Sequence, residues 1–420
     1  MDTTESSSAF MVLTGHLILD ELAVRPPKKW TPIHCASKQA HGCGKLGQEV
    51  LEGLSIWLSL FDTKNLTASL SIRMSNDAIR SVEADLDIPR GMADAEGSVR
   101  IANQELLVLT LFFRRQCCVA RAYYLVYDST DTSLTMIPCL PRDLEATWSL
   151  TPVPQRAADG DRMLAVMAQK FWPQPVDRDV LCVCTLPTMA NPGSDSNALW
   201  QRKTRRFPKL PQPFKSDLMF SLGGKIFWAD LSQGLAYCDL RAGGSVVDIT
   251  FVPLPDVYQV LFAKLPEDTP TEPTNKSRTV GCAGGSIKFI FIDRSSASHG
   301  SEMVFVWTLK DLDRQQWERE VFPWRELWDQ VGFMDAGFQD VEPAYPSLMP
   351  NGDLCLLLPN ISLRREGRTV EEDYICRFDM RSKRPLWFGR VHKYHRTRTV
   401  ILPCNFFVKK NLVRRSTLSR

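Results

Sequence analysis

The stretch Phe220-Ser-Leu-Gly-Gly-Lys-Ile-Phe-Trp228 is followed, after a short polar loop, by Leu235-Ala-Tyr-Cys-Asp239. Apolar and aromatic residues typical of strands lie on both sides of the glycine pair. A Gly-Gly pair between two such runs is typical of a tight β-hairpin turn. The second apolar run adds another strand. The stretch therefore predicts three consecutive antiparallel strands.

The same plan recurs twice further along the chain. Val280–Phe289 leads to Val304–Trp307, and Ser347–Cys355 leads to Ile375–Asp379, with glycine turns about 60 residues apart. Repeats of a few strands at such a period are typical of propeller blades. We therefore predict an all-β, propeller-like fold of repeated antiparallel sheets with a few short helices. A β-sandwich or two stacked β domains is the alternative.

Other short runs of strand-forming residues are bounded by Gly, Pro, Asn or Asp. They are Ala68–Met74, Leu106–Phe113, Ala120–Tyr127, Leu134–Ile137, Val180–Leu186, Leu218–Leu222, Lys225–Asp230, Gly234–Leu240, Val246–Pro253, Val280–Ala283, Ile287–Ile292, Met303–Leu309, Leu354–Leu358 and Tyr374–Asp379. Segment Ala9–Leu19 is interpreted as a first strand.

Helical spacing occurs in two places. The first has apolar residues at Leu46, Val50, Leu51, Leu54 and Leu58; the second follows Pro323, with Trp324, Leu327, Trp328 and Val331. We divide the chain into an irregular N-terminal segment with one short helix (1–65), a propeller-like β domain (66–390) and a basic C-terminal segment (391–420). Trp200, Trp228, Trp307, Trp317 and Trp387 lie in or beside predicted strands, where most would pack between sheets.

Composition places the chain among globular proteins, with 44% hydrophobic and 24% charged residues. No apolar run approaches the roughly 20 residues of a spanning helix, so no membrane association is expected. The start Met1-Asp2-Thr3-Thr4-Glu5 lacks the basic residues of a secretory signal. We therefore expect a cytoplasmic or nuclear protein whose 12 cysteines are reduced.

Several stretches together resemble a known family. They are Tyr123-Tyr-Leu-Val-Tyr-Asp128 with Ser133-Leu-Thr-Met-Ile-Pro138, Leu218–Asp239, Val306-Trp-Thr-Leu309 with Trp317, and Glu326-Leu-Trp328 with Pro343-Ala-Tyr-Pro346. They look like the plant family called domain of unknown function 1618, which is expanded in grasses. The resemblance runs from about Ala68 to Leu386, and Gly-Gly-Lys-Ile-Phe-Trp-Ala-Asp is its most specific part.

The resemblance implies a propeller-like, uncharacterised protein. Some family members carry an F-box at the N-terminus, but residues 1–65 contain no run of Leu-Pro with paired leucines and a downstream Trp. The family has no agreed catalytic residues, so none can be assigned to this chain.

Two N-terminal patterns resemble cofactor or metal sites. Gly42-Cys-Gly-Lys-Leu-Gly47 matches the dinucleotide glycine pattern, which needs a preceding strand, whereas His34–His41 reads as polar loop. His34, Cys35, His41 and Cys43 crowd into ten residues, which makes one tetrahedral zinc site hard to close. No Gly-x-Ser-x-Gly, His-Glu-x-x-His or P-loop motif occurs. We expect no cofactor, no metal and no catalytic residue.

Positive charge is concentrated in two places. The chain carries a net charge of +3, yet from Arg390 to Arg420 it has nine basic residues and no acid. A second cluster follows Trp200. The predicted interaction surface consists of Arg202, Lys203, Arg205, Arg206, Lys409, Lys410, Arg414 and Arg415. Such clusters suit a phosphate backbone, and the tail also suits a nuclear import signal.

These observations favour a non-catalytic protein-interaction module on a propeller-like scaffold, with an unknown protein partner. Two alternatives stay open. One is a hydrolase-type enzyme with a site in the central channel; the other is a protein that associates with nucleic acid through its basic C-terminal tail.

Overall fold

The computed structural model describes residues 10–13, 30–60, 67–92, 94–103, 105–115, 118–141, 143–156, 161–170, 179–186, 199–240, 244–255, 273–294, 302–329, 341–365, 368–391, 400–403 and 406–407. Most of these residues lie in strands. Within these ranges, no helix is both long and apolar enough to span a bilayer.

The strands in chain order are β1 (Phe10–Leu13), β2 (Trp30–Pro32), β3 (Ser37–Ala40), β4 (Leu54–Leu60), β5 (Thr67–Met74), β6 (Asp94–Ala102), β7 (Leu106–Arg115), β8 (Cys118–Asp128), β9 (Ser133–Pro138), β10 (Leu144–Ala146), β11 (Val153–Arg156), β12 (Arg162–Lys170), β13 (Asp179–Leu186), β14 (Gln201–Arg206), β15 (Leu218–Leu222), β16 (Lys225–Asp230), β17 (Gly234–Asp239), β18 (Val246–Asp248), β19 (Thr250–Pro253), β20 (Arg278–Ala283), β21 (Ser286–Asp293), β22 (Met303–Asp311), β23 (Gln316–Pro323), β24 (Ala344–Leu348), β25 (Leu354–Arg365), β26 (Arg368–Asp379), β27 (Arg384–Val391) and β28 (Val400–Pro403). The helices are α1 (Gly44–Gly53), α2 (Asn76–Leu86) and α3 (Trp324–Asp329).

The strands form six small, mainly antiparallel sheets in a β-propeller arrangement, as predicted. Sheet 1 has the order β2-β4-β5-β1-β28, and sheet 2 has β3-β9-β8-β7-β6. Sheet 3 has β10-β12-β13-β14-β18, with β11 also paired to β12. Sheets 4, 5 and 6 are β15-β16-β17-β19, β20-β21-β22-β23 and β24-β25-β26-β27.

Apolar clusters between neighbouring sheets close these six sheets into a ring. Each interface gathers side chains from both sheets into one apolar cluster, as expected when sheets pack face to face. Members from the two sheets, from the interface of sheets 1 and 2 round to that of sheets 6 and 1, are Leu70 and Leu109, Val108 and Val166, Ala165 and Trp228, Phe227 and Phe289, Val306 and Leu356, and Leu357 and the partly buried Ile401. The core is thus a series of inter-sheet layers.

Sheets 5 and 6 are built from successive hairpins, and so is sheet 4 apart from β18, which pairs with β14 in sheet 3. The predicted strands of these sheets are confirmed, except that Val246–Pro253 is divided between β18 and β19. Gly223 and Gly224 have φ of +58° and +79°, and Gly284 and Gly285 have +60° and +76°. Two successive positive φ values define a type I′ turn, whose twist matches that of the flanking strands. The glycine pairs therefore set the hairpins at the start of sheets 4 and 5.

Sheet 1 joins the two ends of the described chain. β1 pairs antiparallel with β28, with Phe10 opposite Pro403, and parallel with β5. The ring therefore takes strands from outside the predicted 66–390 domain. Residues 10–60 supply β1 to β4, and β28 falls within the predicted basic C-terminal segment, residues 391–420.

Both predicted helices are present, and the first is shorter than expected. α1 ends at Gly53, so Leu54 and Leu58 lie in β4 rather than on a helical face. α3 has six residues, and Val331 lies outside the described residues. The sequence reading missed α2, although Ser75 caps it by accepting the Ala78 N–H at 3.2 Å. Such a cap is worth about 1 kcal/mol.

Four of the five tryptophans noted above can be placed. Trp200 and Trp228 are buried, at 5% and 1% exposure, as predicted for packing between sheets. Trp307 and Trp317 are half-buried beside the interface of sheets 4 and 5. The side chain of Trp387 lies outside the described part.

Candidate functional site

A central channel of about 970 Å³ runs through the ring. Its wall takes one edge strand from each sheet: β6, β11, β15, β20, β24 and β28. An edge strand presents a row of N–H and C=O groups that its own sheet does not use. The channel wall is therefore rich in backbone donors and acceptors even where its side chains are apolar.

The inner strands run in the same direction, so their ends define two mouths. Side-chain and backbone contacts join the C-terminal ends of neighbouring strands: Arg156 to Glu105, Gln155 Nε2 to Gly224 O at 2.6 Å, and Gly284 N to Pro350 O at 2.9 Å. We call this end the turn mouth, because hairpin turns surround it. The opposite end, where these strands begin, is the start mouth.

An ion-pair network lies beside the turn mouth. Arg156 contacts Glu105 at 2.7 Å and the buried Asp128 at 2.6 Å. Arg162, also buried, lies 3.4 Å from Asp128 and donates to Ser133 Oγ at 2.7 Å. Buried charges of this kind are tolerated because each is paired and hydrogen-bonded. The network ties sheet 2 to sheet 3 and leaves Glu105 and Arg156 facing the channel.

The start mouth carries Asp217 and Arg278. Burial raises the pKa of the Asp217 carboxyl above its ordinary value, although the Leu231 N–H donates to it at 3.0 Å. Arg278 is 3% exposed; its Nη1 donates to Leu231 O at 2.9 Å and its guanidinium lies 5.0 Å from the centre of the Phe291 ring. Both side chains are held by the turn after β16, so this mouth is rigidly built.

The channel carboxylates are far apart. Among the described residues that line the channel, Glu105 and Asp217 are the only carboxylates, and none is histidine. They lie at opposite mouths, separated by roughly the length of β15, about 16 Å at 3.3 Å per residue. Two carboxylates acting on one glycosidic bond must lie within about 9.5 Å. This pair therefore does not form the site of a glycoside hydrolase.

The basic residues predicted around β14 are mostly paired with acids. Arg202 makes a bidentate contact with Asp143 at 2.7 and 3.0 Å, and Arg206 lies 3.6 Å from Asp248. Arg205 is bonded to Asp179 and lies over aromatic rings. Lys203 is half-buried on the same strand. These contacts reduce the positive charge that an anionic partner would meet there. Lys409, Lys410, Arg414 and Arg415 lie outside the described residues.

The N-terminal His and Cys residues hold local structure. The Cys43 thiol donates to His41 O at 3.3 Å, and burial raises its pKa to about 12. Burial also raises the pKa of Cys35. In the described ranges, no three His, Cys, Asp or Glu side chains gather as metal ligands would.

The interpretation of residues 34–41 as loop was wrong in one respect. β3 does precede the Gly42–Gly47 pattern, and α1 begins within it, at Gly44. However, β3 pairs with β9 in sheet 2, whereas β4, the next strand, lies in sheet 1. A dinucleotide-binding unit needs both strands side by side in one parallel sheet, so the pattern lacks its required setting.

The sequence reading named no channel residue. Arg156 and Asp217 each lie in short segments whose sequence has no strong hydrophobic periodicity. They reach the channel only because the six sheets close into a ring. One signal was available: the glycine turns mark which strand of each sheet comes first along the chain, and in sheets 4 and 5 this strand lines the channel.

Comparison with known proteins finds a family match over part of the chain and no activity. No curated protein matches the chain. A fungal alcohol oxidase of the AA5 family, in complex with copper, is similar in structure at a TM-score of 0.28 and 10% identity, over 72% of this chain and 63% of that chain. This chain thus spans less than two thirds of that protein.

Two further solved structures give similar values. The polysaccharide lyase Uly1 has a TM-score of 0.30 and 11% identity, over 66% of this chain and 68% of that chain. An α-L-arabinofuranosidase from Lactobacillus brevis has 0.29 and 12%, over 72% and 92%. Likenesses this weak carry no inference about activity.

The family match is more specific. The model of the family described as "Protein of unknown function (DUF1618)" matches residues 228–362. The matched segment runs from β16 in sheet 4 to β25 in sheet 6, and it overlaps the stretches on which the resemblance rests apart from Tyr123–Asp128 and Ser133–Pro138. Residues 228–362 therefore match the DUF1618 family model, in agreement with the resemblance of the sequence.

Proposed function

We propose that this protein is a non-catalytic interaction module of the cytoplasm or nucleus, and that its channel receives a segment of a partner protein. The observation that carries the proposal is the channel of about 970 Å³ lined by one strand edge from each of six sheets. Strand edges bind extended peptides through main-chain hydrogen bonds. This volume lies near the upper end of the usual range of about 300–1,000 Å³ for ligand sites.

The lining suits a peptide because it combines apolar and polar groups. Met219, Leu222 and Leu348 offer apolar surface, while Ser221 and Ser347 offer hydroxyls beside the strand edges. A peptide segment likewise alternates apolar side chains with main-chain donors and acceptors. At the turn mouth, Glu105 and Arg156 supply opposite charges that would orient a charged residue of the partner.

Gly281 offers a way to block the channel without disturbing the sheet. It lies in β20 on the channel wall, and a Cβ there would meet only Leu348 Cδ1, at 3.9 Å. Gly281→Trp would fill part of the channel, whereas Gly281→Ala adds only a methyl group. The pair therefore separates the effect of occlusion from the effect of replacing the glycine.

The test is affinity capture with mass spectrometry on wild type, both Gly281 variants and a chain truncated after Lys410. We expect a reproducible partner that binds wild type, Gly281→Ala and the truncated chain, and that is lost with Gly281→Trp. A thermal unfolding curve for each variant verifies that it is folded. Partners that bind Gly281→Trp as well as wild type would refute the channel as the binding site. A partner lost only on truncation would favour the tail.

A further inference from the structure

A second, smaller cavity lies away from the channel, beside sheets 3 and 4. Its volume is about 480 Å³. One wall is formed by Thr147, Trp148 and Arg205. The other is formed by residues 207–214, Phe-Pro-Lys-Leu-Pro-Gln-Pro-Phe, which we call the proline strap; all of them except Lys209 line the cavity. A volume of this size suits a small ligand.

The proline strap is anchored at both ends by aromatic contacts with Trp148. The Phe207 ring lies 5.1 Å from the Trp148 ring, edge to face, and the Phe214 ring lies 4.5 Å from it. Trp148 is itself 8% exposed and packs on Trp228 at 5.4 Å. Between these anchors the prolines are exposed on their outer side. The cavity is therefore a preformed aromatic slot beneath a short bridge of chain.

Arg205 forms the polar end of the slot. Its guanidinium lies 4.9 Å from the Trp148 ring centre and 5.5 Å from that of Phe207, and its Nη2 is bonded to Asp179. Its Nη1 is buried without a hydrogen-bond partner, and so is Thr147 Oγ1. A buried donor without a partner lowers stability, and a charged one lowers it more. Both residues line the cavity, so a small shift of either side chain would present its orphan group to an acceptor there.

Charge favours an anion as that acceptor. Asp179 already neutralises one charge of Arg205, but the strap carries Lys209 and is followed by Lys215, and the segment 207–215 contains no acid. Arginine recognises carboxylates through its planar fork of N–H groups, and here the fork is oriented by the rings on which it stacks. The aromatic walls favour a flat, apolar body.

We propose that the slot beneath the proline strap binds a small planar aromatic carboxylate, with its ring against Trp148 and its carboxylate on Arg205 Nη1 and Thr147 Oγ1. This site is separate from the channel, and it does not depend on the proposed function. Binding would satisfy both orphan groups at once.

The test measures binding of 1-naphthoate to the full chain by saturation-transfer NMR and calorimetry, with the neutral 1-naphthalenemethanol as the matched probe. For a ligand of this size we expect a Kd of about 1 mM or tighter. The alcohol should bind at least about tenfold more weakly, because it lacks the charge that pairs with Arg205. No naphthoate binding up to about 10 mM, or equal binding of the two probes, would overturn the proposal.

Three variants locate the site. Arg205→Lys keeps the charge but removes the fork and should weaken naphthoate binding about tenfold, and Thr147→Val should weaken it about fivefold. Arg206→Gln is the control, because Arg206 is exposed, pairs with Asp248 and does not line the slot. Thr147→Val keeps the size of the side chain, so it serves if Arg205→Lys unfolds. Naphthoate binding unchanged in Thr147→Val, or lost equally in Arg206→Gln, would place the ligand elsewhere.

Discussion

Sheets 4, 5 and 6 and sheet 1 occupy equivalent places in the ring but are built differently. In sheets 5 and 6 the strands follow one another along the chain, and in sheet 4 they do so except that β18, between β17 and β19, pairs in sheet 3. Each of these sheets is therefore built within one local segment. Sheet 1 instead takes β1 and β28 from opposite ends of the described chain and pairs β1 parallel with β5. The first kind of sheet pays little loop-closure entropy, whereas the second must gather distant segments.

This difference shows where the ring should open first. Loss of pairing in sheet 1 separates the two ends of the chain but leaves every hairpin of sheets 4 to 6 intact. The channel is bounded by β28 on one side, so the integrity of sheet 1 also decides whether the channel is closed.

Deletion of residues 400–420 should have the largest effect. It removes Val400, Leu402 and Phe406, which are 6%, 0% and 4% exposed in the core between sheets 1 and 2. Each such loss costs about 2–5 kcal/mol, so the sum rivals the whole stability of about 5–15 kcal/mol. Denaturant unfolding should show a ring that is open or unfolded in buffer. Truncation after Lys410 is the control and should leave stability unchanged.

Trp228→Ala should destabilise the interface of sheets 3 and 4 by about 3–5 kcal/mol, because Trp228 is 1% exposed and packs against Trp148. Trp317→Ala should destabilise the protein distinctly less, because Trp317 is only half-buried. The variant also loses the hydrogen bond from Nε1 to Pro253 O, which is long at 3.3 Å. Equilibrium unfolding in urea measures both. Equal losses for the two variants would mean that the inter-sheet layers do not carry the stability.

Gly224→Ala should cost about 1–2 kcal/mol, because φ at this position is +79° and a Cβ makes the left-handed conformation unfavourable. Gly281→Ala, also in an inner hairpin, should lie within about 0.5 kcal/mol of wild type. The difference between the two variants in thermal unfolding isolates the contribution of the turn. A similar cost for both would argue against a type I′ turn at residues 223–224.

The smallest effects concern pH. Burial raises the folded-state pKa of Asp217. As the pH rises above about 3.9, the carboxyl therefore loses its proton in the unfolded chain before it does in the folded protein. This difference lowers the free energy of unfolding as the pH increases. Asp217→Asn should therefore gain stability relative to wild type between about pH 4 and pH 7.

Asp143 provides the opposite case. Its hydrogen bond with Arg202 lowers the pKa of its carboxyl, so its contribution is present above about pH 3.9 and is lost as the pH falls through the folded-state pKa. Asp143→Asn should lose stability relative to wild type as pH rises, by a small amount because the pair is exposed. If the free energies of unfolding of Asp217→Asn and Asp143→Asn, each relative to wild type, changed with pH in the same direction, the buried site of Asp217 and the ion pair of Asp143 would be contradicted.

The sequence alone predicted the hairpins well, because their signals are local. Gly223-Gly224 and Gly284-Gly285 lie between strand-forming runs, and both proved to be turns of the predicted kind. Segment Ala9–Leu19 was read as a strand, and β1 lies within it. The strand that pairs with β1 could not be predicted, because no local sequence pattern indicates that Phe10 lies opposite Pro403 of β28.

The candidate sites were harder to predict for the same reason. The basic cluster at Arg202–Arg206 was visible, but its acids Asp143, Asp179 and Asp248 come from three separate segments. The orphan Nη1 of Arg205 depends on how Phe207 and Trp148 enclose it. The sequence shows which charged residues are present. Which of them form ion pairs, and which are enclosed by aromatic rings, is decided only when distant strands come together in the fold.

Closure of the ring by β28 is the central structural claim, and cysteine accessibility tests it most directly. Cys355 lies in the layer between sheets 6 and 1, Cys376 between sheets 5 and 6, and Cys238 between sheets 3 and 4. All three are buried, and burial raises the pKa of Cys355 and Cys238 to about 12. Each thiol therefore reports on the opening of its own layer.

The measurement is site-resolved alkylation by iodoacetamide, read by mass spectrometry, in wild type and Leu402→Ala. Leu402 is fully buried on β28 in the core between sheets 1 and 2, and its neighbour Ile401 packs in the layer that holds Cys355. Loss of the Leu402 side chain should therefore loosen β28 in both layers. The account predicts that in the variant Cys355 reacts much faster than in wild type, while Cys376 and Cys238 stay protected. Protection of Cys355 equal to that of Cys376 in Leu402→Ala would contradict closure of the ring by β28.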